Sequence, residues 1–330
     1  MADQEMRGVR VEARLVPFPQ SISAEAQASL AARVNPDGKT LNLVDDVPAP
    51  DDLVGWAAMK ARVDGVILDM MAPARPYLRA SVETISLGGA TVYAATPEGA
   101  GADDRAYLDI HGGGLVYGAG ESCLLGAQMR ADQHGVRCYA VDYRMPPEHP
   151  YPAALDDCLA AYRALLDRYA PENIIIGGAS AGGNLAAATA LRARDEGLPL
   201  PAALVLLTPE LDLTESGDTF ETNRTFDVIL PKPLLPLNRL YAAGHPLEHP
   251  YLSPLFGDFS KGFPPSFLQA GTRDLFLSNT VRMHRALRRA GVPAELHIFE
   301  GMPHGGFMGA PEDMELAAEV SRFVAAHWGG

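Results

Sequence analysis

A serine stands between two glycines in the segment Gly178-Ala179-Ser180-Ala181-Gly182, which has the pattern G-x-S-x-G. A serine hydroxyl is a weak nucleophile unless it is exposed beside a base. A sharp turn between a strand and a helix gives that exposure, and the small residues around Ser180 permit such a turn. The pattern therefore predicts a nucleophile. A phosphate-binding loop is the weaker interpretation, because neither G-x-x-x-x-G-K nor G-x-G-x-x-G occurs in this segment.

A nucleophilic serine needs a base, and His304 is the strongest candidate. It lies in a loop that follows the last predicted strand, where a side chain can reach the edge of a sheet. The other downstream histidines are placed less well, because they fall in a helix, a strand or the C-terminal end: His284, His297 and His327. His245 and His249 come early in the chain for this role.

The base in turn needs an acid that orients it, and Asp274 follows the predicted strand 266–270. A carboxylate at that position can hold the tautomer of the His304 imidazole. The alternative is that Asp274 caps the next helix. We expect Ser278 or Asn279 to fill that position instead, because they immediately precede the helical run.

Backbone amides that could stabilise an oxyanion are predicted in His111-Gly112-Gly113-Gly114, which follows the strand 106–110. Glycines let the backbone approach a substrate closely. We expect the amides of Gly112, Gly113 and Ala181 to be the donors. We also expect Gly114, Gly178 and Gly182 to support the site. His111 could support the loop or act as a base, and its place before Ser180 in the chain favours support.

Alternating strand-like and helix-like segments must position these residues. Eight segments are predicted strands: residues 82–86, 91–95, 106–110, 136–142, 173–176, 203–207, 266–270 and 294–299. Four are predicted helices: residues 153–169, 183–196, 280–290 and 311–327, and a further helical patch is predicted at 53–71. This alternation indicates an α/β fold with a mostly parallel sheet and helices on both faces. The short gap between the first two strands suggests an antiparallel hairpin.

Two regions interrupt the alternation. Residues 1–75 are polar with helical patches, and residues 208–265 are rich in proline and aromatic residues. In such sheets the site lies beyond the carboxyl ends of the strands, so insertions there form a cover. We predict a catalytic core of residues 76–207 and 266–330, with a cap assembled from the two irregular regions.

Composition excludes several classes of partner. The 330 residues carry a formal net charge of −14, which disfavours binding to nucleic acid or to an anionic membrane surface. Three cysteines (Cys123, Cys138 and Cys158) form neither a disulfide framework nor a zinc pattern. We expect no cofactor and no metal. With no secretory signal and no transmembrane run, we expect a cytoplasmic protein.

The candidate residues follow one another in the order of α/β-hydrolases. Three further segments are distinctive: DYRMPPEHPYPAA at 142–154, TPELDLT at 208–214 and GMPHGGF at 301–307. Over residues 75–330 the chain thus resembles the hormone-sensitive lipase family, the bacterial family IV esterases. The resemblance implies an α/β-hydrolase fold with a mainly helical cap, and Ser180, Asp274 and His304 as the triad. The chain departs from the family at Ala179 and at Glu210, where many members have Asp or Thr and Trp respectively.

These expectations together describe a serine carboxylesterase that works through an acyl-enzyme on short- to medium-chain esters. Apolar residues in the cap insertion suit a small pocket: Phe220, Phe226, Leu234, Leu235 and Tyr241. Amide, formamide or lactone hydrolysis by the same triad is the alternative reaction. A non-catalytic ligand receptor is the alternative of another class, although receptors related to this family lack the catalytic histidine. By analogy, the edge strand 294–299 could pair two copies into a homodimer.

Overall fold

A single sheet of eight strands runs through the computed structural model, which describes residues 9, 11–40, 47–100 and 104–329. The strands, in chain order, are β1 (Ser81–Leu87), β2 (Ala90–Thr96), β3 (Ala106–Ile110), β4 (Arg137–Val141), β5 (Ile174–Ala179), β6 (Ala203–Leu207), β7 (Ser266–Gly271) and β8 (Ala294–Phe299). Their order across the sheet is β1-β2-β4-β3-β5-β6-β7-β8. The hairpin β1–β2 joins β4 in antiparallel fashion, and all later pairings are parallel. The predicted α/β class and the antiparallel first hairpin are confirmed.

Helices cover both faces of this sheet. They are α1 (Ala24–Ala31), α2 (Leu53–Met71), α3 (Glu121–His134), α4 (Ala153–Leu166), α5 (Ala181–Asp195), α6 (Thr219–Thr222), α7 (Leu235–Ala242), α8 (Leu277–Arg289) and α9 (Pro311–His327). Side chains of α4, α5 and α8 pack into one apolar cluster against the sheet, and those of α3 and α9 pack into another. The central strands β3, β5 and β6 are buried almost throughout, as strands covered on both faces should be.

Two sequence expectations about helices were wrong. Helix α3 was not predicted, because its polar sequence contains Gly126 and has only a weak apolar stripe. Helix α8 begins at Leu277, three residues earlier than expected, so neither Ser278 nor Asn279 caps it. Ser278 instead accepts a hydrogen bond from the Thr219 N–H at 3.0 Å.

The two irregular regions differ in structure. The described part of residues 1–75 contains α1, α2 and the start of a 3₁₀ helix (Ala72–Tyr77), joined by irregular chain. Residues 1–8, 10 and 41–46 of that predicted cap segment lie outside the described residues. Residues 208–265 hold two short helices, α6 and α7, and two 3₁₀ turns, joined by irregular chain. Among the described residues, none of the helices combines the length and the apolar character needed to cross a bilayer.

Parallel strands bring the loops that follow them to one edge of the sheet. The neighbouring strands β3, β5, β6, β7 and β8 end at this edge. Their following loops carry His111 to Gly114, Ser180, Glu210, Asp274 and His304 respectively. Residues that are far apart in the chain therefore meet at the carboxyl edge of the sheet.

Candidate active site

Ser180 occupies a strained backbone conformation between β5 and α5. Its φ is 56° and its ψ is −121°, in a region that residues with a side chain rarely adopt. The surrounding structure holds this turn, because the Ser180 N–H donates to the Leu207 carbonyl at 2.9 Å. The half-buried hydroxyl is thereby presented at the strand end, as the motif predicts.

The flanking glycines are required by close backbone approach. A Cβ atom at Gly182 would collide with the carbonyl oxygen of Ile110. A Cβ atom at Gly178 would collide with the carbonyl oxygen of Gly182. The structure thus places both predicted residues where the turn leaves no room for a side chain.

His304 connects the serine with the acid. Its Nε2 lies 3.0 Å from Ser180 Oγ, and its Nδ1 lies 3.0 Å from Asp274 Oδ1. The ring is further held by the edge of Phe276, whose centroid is 4.9 Å away. Asp274 is fully buried and its Oδ1 also accepts the Phe276 N–H at 2.9 Å. The structure thus brings the three predicted residues into one hydrogen-bonded chain that can move a proton from the serine.

The charges around His304 favour its protonated form. Burial acts to lower the pKa of His304, but the charges of Asp274 and Asp227 and the hydrogen bond to Asp274 outweigh it, so the pKa is raised above its usual value. Such an imidazole is a stronger base toward the serine proton and is stabilised as the imidazolium.

The glycine loop after β3 lies against the serine turn. A Cβ atom at Gly112 would stand 2.9 Å from the Ala179 carbonyl oxygen, which shows how close the two backbones are. Gly113 has a φ of 120° and no room for a side chain, because a Cβ atom would collide with the Tyr117 carbonyl. Gly114, with a φ of 56°, follows it in the same loop, under the side chains of Leu234 and Leu237.

The predicted oxyanion donors are the N–H groups of Gly112, Gly113 and Ala181. Among the loop and turn hydrogen bonds of the described residues, none is donated by these three groups. Ala181 is the first residue of α5, so its N–H has no acceptor within the helix. All three are available at the serine turn, and the helix N-terminus adds a favourable field for negative charge.

His111 is placed to hold this loop. Its Nδ1 donates to the Gly112 carbonyl at 2.8 Å, and its ring stacks on Tyr143 with centroids 4.0 Å apart. The Tyr143 hydroxyl donates to the His111 carbonyl at 3.0 Å. Burial lowers the pKa of His111, which keeps the ring neutral. These contacts favour the supporting role over that of a base.

Two aspartates brace the continuation of the loop, and the sequence interpretation did not identify them. Asp64 of α2 accepts the Gly118 N–H at 2.7 Å, and Asp142 accepts the Gly120 N–H at 2.9 Å. Asp142 opens a segment that the sequence did single out, whereas nothing in the sequence near Asp64 indicates this contact. The N-terminal region is thus tied directly to the glycine loop.

Asp227 is a further carboxylate at the site that sequence reasoning missed. It belongs to the insertion between β6 and β7 and is fully buried beside Asp274 and His304. Burial, together with the charge of Asp274, raises the pKa of Asp227 to about 6.

Asp227, Asp274 and His304 are close enough together to suggest a metal site. However, both oxygens of Asp227 already accept backbone N–H groups, so the donor set does not fit an ion.

Glu210 is fully buried in the loop after β6. Its N–H donates to the Ser180 carbonyl at 3.1 Å, and its own carbonyl accepts from Asn184 Nδ2 at 2.7 Å. Within the part of the chain that the structure describes, neither carboxyl oxygen makes a well-formed hydrogen bond, although Asn238 lies near enough to act on the group. Burial and the neighbouring Glu215 raise the pKa of Glu210 to about 8, so the carboxyl is neutral at pH 7.

Comparison with known proteins gives a consistent result. Residues 107–308 match a family described by its alpha/beta hydrolase fold. An acetyl-hydrolase of Streptomyces hygroscopicus is 35% identical over 61% of this chain and 68% of its own length. The crystal structure of an esterase, E25, superposes with a TM-score of 0.87 at 35% identity, covering 97% of this chain and 99% of that one. An esterase from the bacterial hormone-sensitive lipase family gives a TM-score of 0.76 at 29% identity, covering 94% and 100%.

Proposed function

The chain belongs to the α/β-hydrolases of the hormone-sensitive lipase family and is a carboxylic ester hydrolase, and from this premise we propose that it acts through Ser180, His304 and Asp274. One observation carries the proposal: the His304 imidazole contacts Ser180 Oγ through Nε2 and Asp274 Oδ1 through Nδ1, each at 3.0 Å. This geometry suits a base that takes the serine proton while an acid holds its tautomer.

In the first half of the reaction, Ser180 Oγ attacks the ester carbonyl carbon. The Ser180 proton passes to His304 Nε2, and the carbonyl oxygen becomes an oxyanion. The N–H groups of Gly112, Gly113 and Ala181 would receive that charge, and one such donor is typically worth about 3 kcal/mol in the transition state. When the tetrahedral intermediate collapses, the C–O bond to the alcohol breaks and the leaving oxygen takes the proton from His304.

In the second half, a water molecule hydrolyses the acyl-serine. His304 Nε2 removes a proton from the water as its oxygen attacks the acyl carbon, and the same amides receive the second oxyanion. Collapse releases the carboxylic acid and returns the proton to Ser180 Oγ. Each step uses only groups of this chain and water.

The substrate class follows from what covers the serine. We propose that residues 1–75 and 208–265 form a cap over the core of residues 76–207 and 266–330. Buried side chains of both regions meet in one apolar cluster, which includes Trp56, Phe220 and Leu237 and also Tyr117 beside the glycine loop. Leu234 and Leu237 lie over Gly114 and limit the room above the glycine loop. This supports esters of short to medium chain length.

Amide, formamide or lactone hydrolysis would use the same triad, so a panel of leaving groups separates these reactions from ester hydrolysis.

Strand β8 stands at an edge of the sheet, which is what dimerisation through that strand requires. Light scattering in solution tests whether two copies pair.

The deciding experiment compares Ser180→Ala with the wild type on p-nitrophenyl butyrate. We expect kcat to fall at least about 10⁴-fold, because the nucleophile is lost while the fold is kept. Ser260→Ala is the matched control, since Ser260 is exposed in the insertion and should keep full activity. A fluorophosphonate should label Ser180, as intact mass and peptide mapping would report. Undiminished turnover by pure Ser180→Ala would refute the assignment.

A further inference from the structure

We propose that Asp227 is a positioning residue for the hydrolytic site: its buried carboxylate binds the backbone of both catalytic loops and holds the His304 imidazole between Ser180 and Asp274. This inference rests on the proposed triad. It adds a fourth side chain, contributed by the insertion between β6 and β7, that neither the motifs nor the comparisons identify.

The hydrogen bonds of Asp227 reach three separate segments. Oδ2 accepts the Leu275 N–H at 2.9 Å and the His304 N–H at 3.2 Å. Oδ1 accepts the N–H groups of Ile229 and Leu230, both at 2.9 Å, and approaches the His304 N–H at 3.3 Å. The bonds from Ile229 and Leu230 fix the carboxylate within its own segment. The bonds from Leu275, which follows Asp274, and from His304 connect it to the two catalytic loops.

These contacts matter because the two loops carry opposite ends of one hydrogen bond. Asp274 lies in the loop after β7 and His304 in the loop after β8. A single carboxylate that binds both loops sets the distance between them, and a 1 Å displacement of a catalytic group can cost a large factor in rate. Asn223 of the same insertion reinforces the arrangement by donating to the Asp274 carbonyl at 2.8 Å.

Asp227 is not an alternative catalytic acid in this geometry. His304 Nδ1 is already bonded to Asp274 Oδ1, and the oxygens of Asp227 accept main-chain N–H groups instead of the imidazole. Its influence on the ring is through position and charge. We therefore expect its removal to change the rate and the pH profile without abolishing the reaction.

Three carboxyl groups lie near enough to the imidazole to act on its titration when they are ionised. They are Asp274 from the β7 loop, Asp227 from the insertion and Glu210 from the β6 loop. Asp227 favours the imidazolium, so replacing its charge should lower the pKa of His304. The acid limb of kcat/KM, which follows protonation of the free base, should then move to lower pH.

The test uses two substitutions in the full chain. Asp227→Asn removes the charge and puts an amide where N–H donors point. Asp227→Glu keeps the charge but moves the carboxylate by one methylene. Glu248→Gln is the matched control, because Glu248 is exposed in the same insertion and the change in charge is the same. For each protein, kcat and KM for p-nitrophenyl butyrate are measured from pH 4.5 to 9 and expressed per folded molecule.

We expect kcat to fall at least about 10-fold in both Asp227 variants, with KM changed far less. The acid limb should move down by at least about 0.3 pH unit in Asp227→Asn. It should move less in Asp227→Glu and not at all in Glu248→Gln. If Asp227→Asn does not fold, the kcat of Asp227→Glu decides whether Asp227 has the positioning role. Wild-type kcat per folded molecule in the Asp227 variants, or an unmoved acid limb in Asp227→Asn, would overturn the inference.

Failure of this inference differs from failure of the proposed function. If Ser180→Ala is inactive while the Asp227 variants behave like the wild type, the triad stands and only the positioning role is wrong. If Ser180→Ala is fully active, the triad itself is wrong, whatever the Asp227 variants do.

Discussion

The backbone N–H of Glu210 donates to the carbonyl oxygen of Ser180 at 3.1 Å, so the turn at Ser180 is bonded to a residue whose own carboxyl group is fully buried. A buried carboxyl without good hydrogen-bond partners is costly when ionised. The pKa of Glu210, raised by burial to about 8, reflects that cost. The turn at Ser180 is therefore bonded to a residue whose ionisation makes the free energy of unfolding depend on pH.

In the wild type, ionisation of Glu210 should lower the free energy of unfolding as pH rises, and Glu210→Gln should remove this decrease. In the unfolded chain Glu210 loses its proton near pH 4.5, whereas in the folded chain it keeps the proton until about pH 8. Between these values the folded state binds more protons, so the free energy of unfolding falls with rising pH, by at most about 1.4 kcal/mol per pH unit. Denaturant unfolding of both proteins from pH 5 to 9 measures the difference.

We expect the stability of Glu210→Gln relative to the wild type to increase up to about pH 8 and then to level off. Glu215, whose pKa is raised by burial to about 7, remains in the variant, so part of the wild-type slope persists. The control Glu248→Gln should differ from the wild type in free energy of unfolding by an amount that does not change over this pH range. A stability difference for Glu210→Gln that does not vary between pH 5 and 8 would contradict the account of a neutral buried carboxyl.

Asp274→Asn should lower kcat by roughly 10³- to 10⁴-fold while changing KM little. The asparagine can present an N–H to His304 Nδ1 and so select the tautomer that cannot accept the serine proton at Nε2. Kinetics with p-nitrophenyl butyrate measure the effect, and Asp167→Asn, at an exposed position after α4, is the control. Activity within a few fold of the wild type would show that another group orients His304.

The sequence alone predicts most of the fold, because the buried strands of a parallel sheet are continuous apolar runs. All eight strands were located, and the glycine-flanked Ser180 lies at the end of β5 as expected. Helix α3 was missed because its apolar residues, Leu125 among them, are mixed with polar ones and form only a weak stripe. It is stabilised by packing on the sheet, through Cys123, Ala127 and Ala131, and that packing is tertiary information.

The candidate site likewise contains residues that the sequence indicates and residues that only the folded structure reveals. Ser180, Asp274 and His304 could be found because each lies next to a strand end and in a recognisable order. Asp227 and Asp64 could not, because each acts through its side chain on a backbone amide far along the chain, in Asp227's case 77 residues away at His304. A lone aspartate within an irregular insertion carries no periodic or motif signal, and only the folded chain shows what it contacts.

Gly113→Ala should reduce kcat at least about 100-fold, because the glycine loop must move to admit a Cβ atom that would collide with the Tyr117 carbonyl. Gly291→Ala is the control for backbone strain. Gly291 also has a positive φ, of 74°, but among the described residues other than its two chain neighbours no atom lies within 4 Å of the position of its Cβ. Comparable rate losses in the two variants would indicate general strain and would count against a role of the Gly113 amide.

Leu234→Ala should shift the preference of the enzyme toward longer acyl chains. The Leu234 Cδ1 atom lies 3.5 Å from where a Cβ atom at Gly114 would stand, so the side chain limits space above the glycine loop. Removing it should raise the ratio of kcat/KM for p-nitrophenyl octanoate to that for the butyrate several-fold, since about 0.8 kcal/mol is gained for each further methylene that becomes buried. A buried Leu→Ala change also costs about 2–5 kcal/mol of stability, so the ratio within one variant is the informative quantity. Leu165→Ala, at a fully buried position in α4, should lose similar stability without altering the ratio. An unchanged ratio in Leu234→Ala would mean that the acyl chain lies elsewhere under the proposed cap.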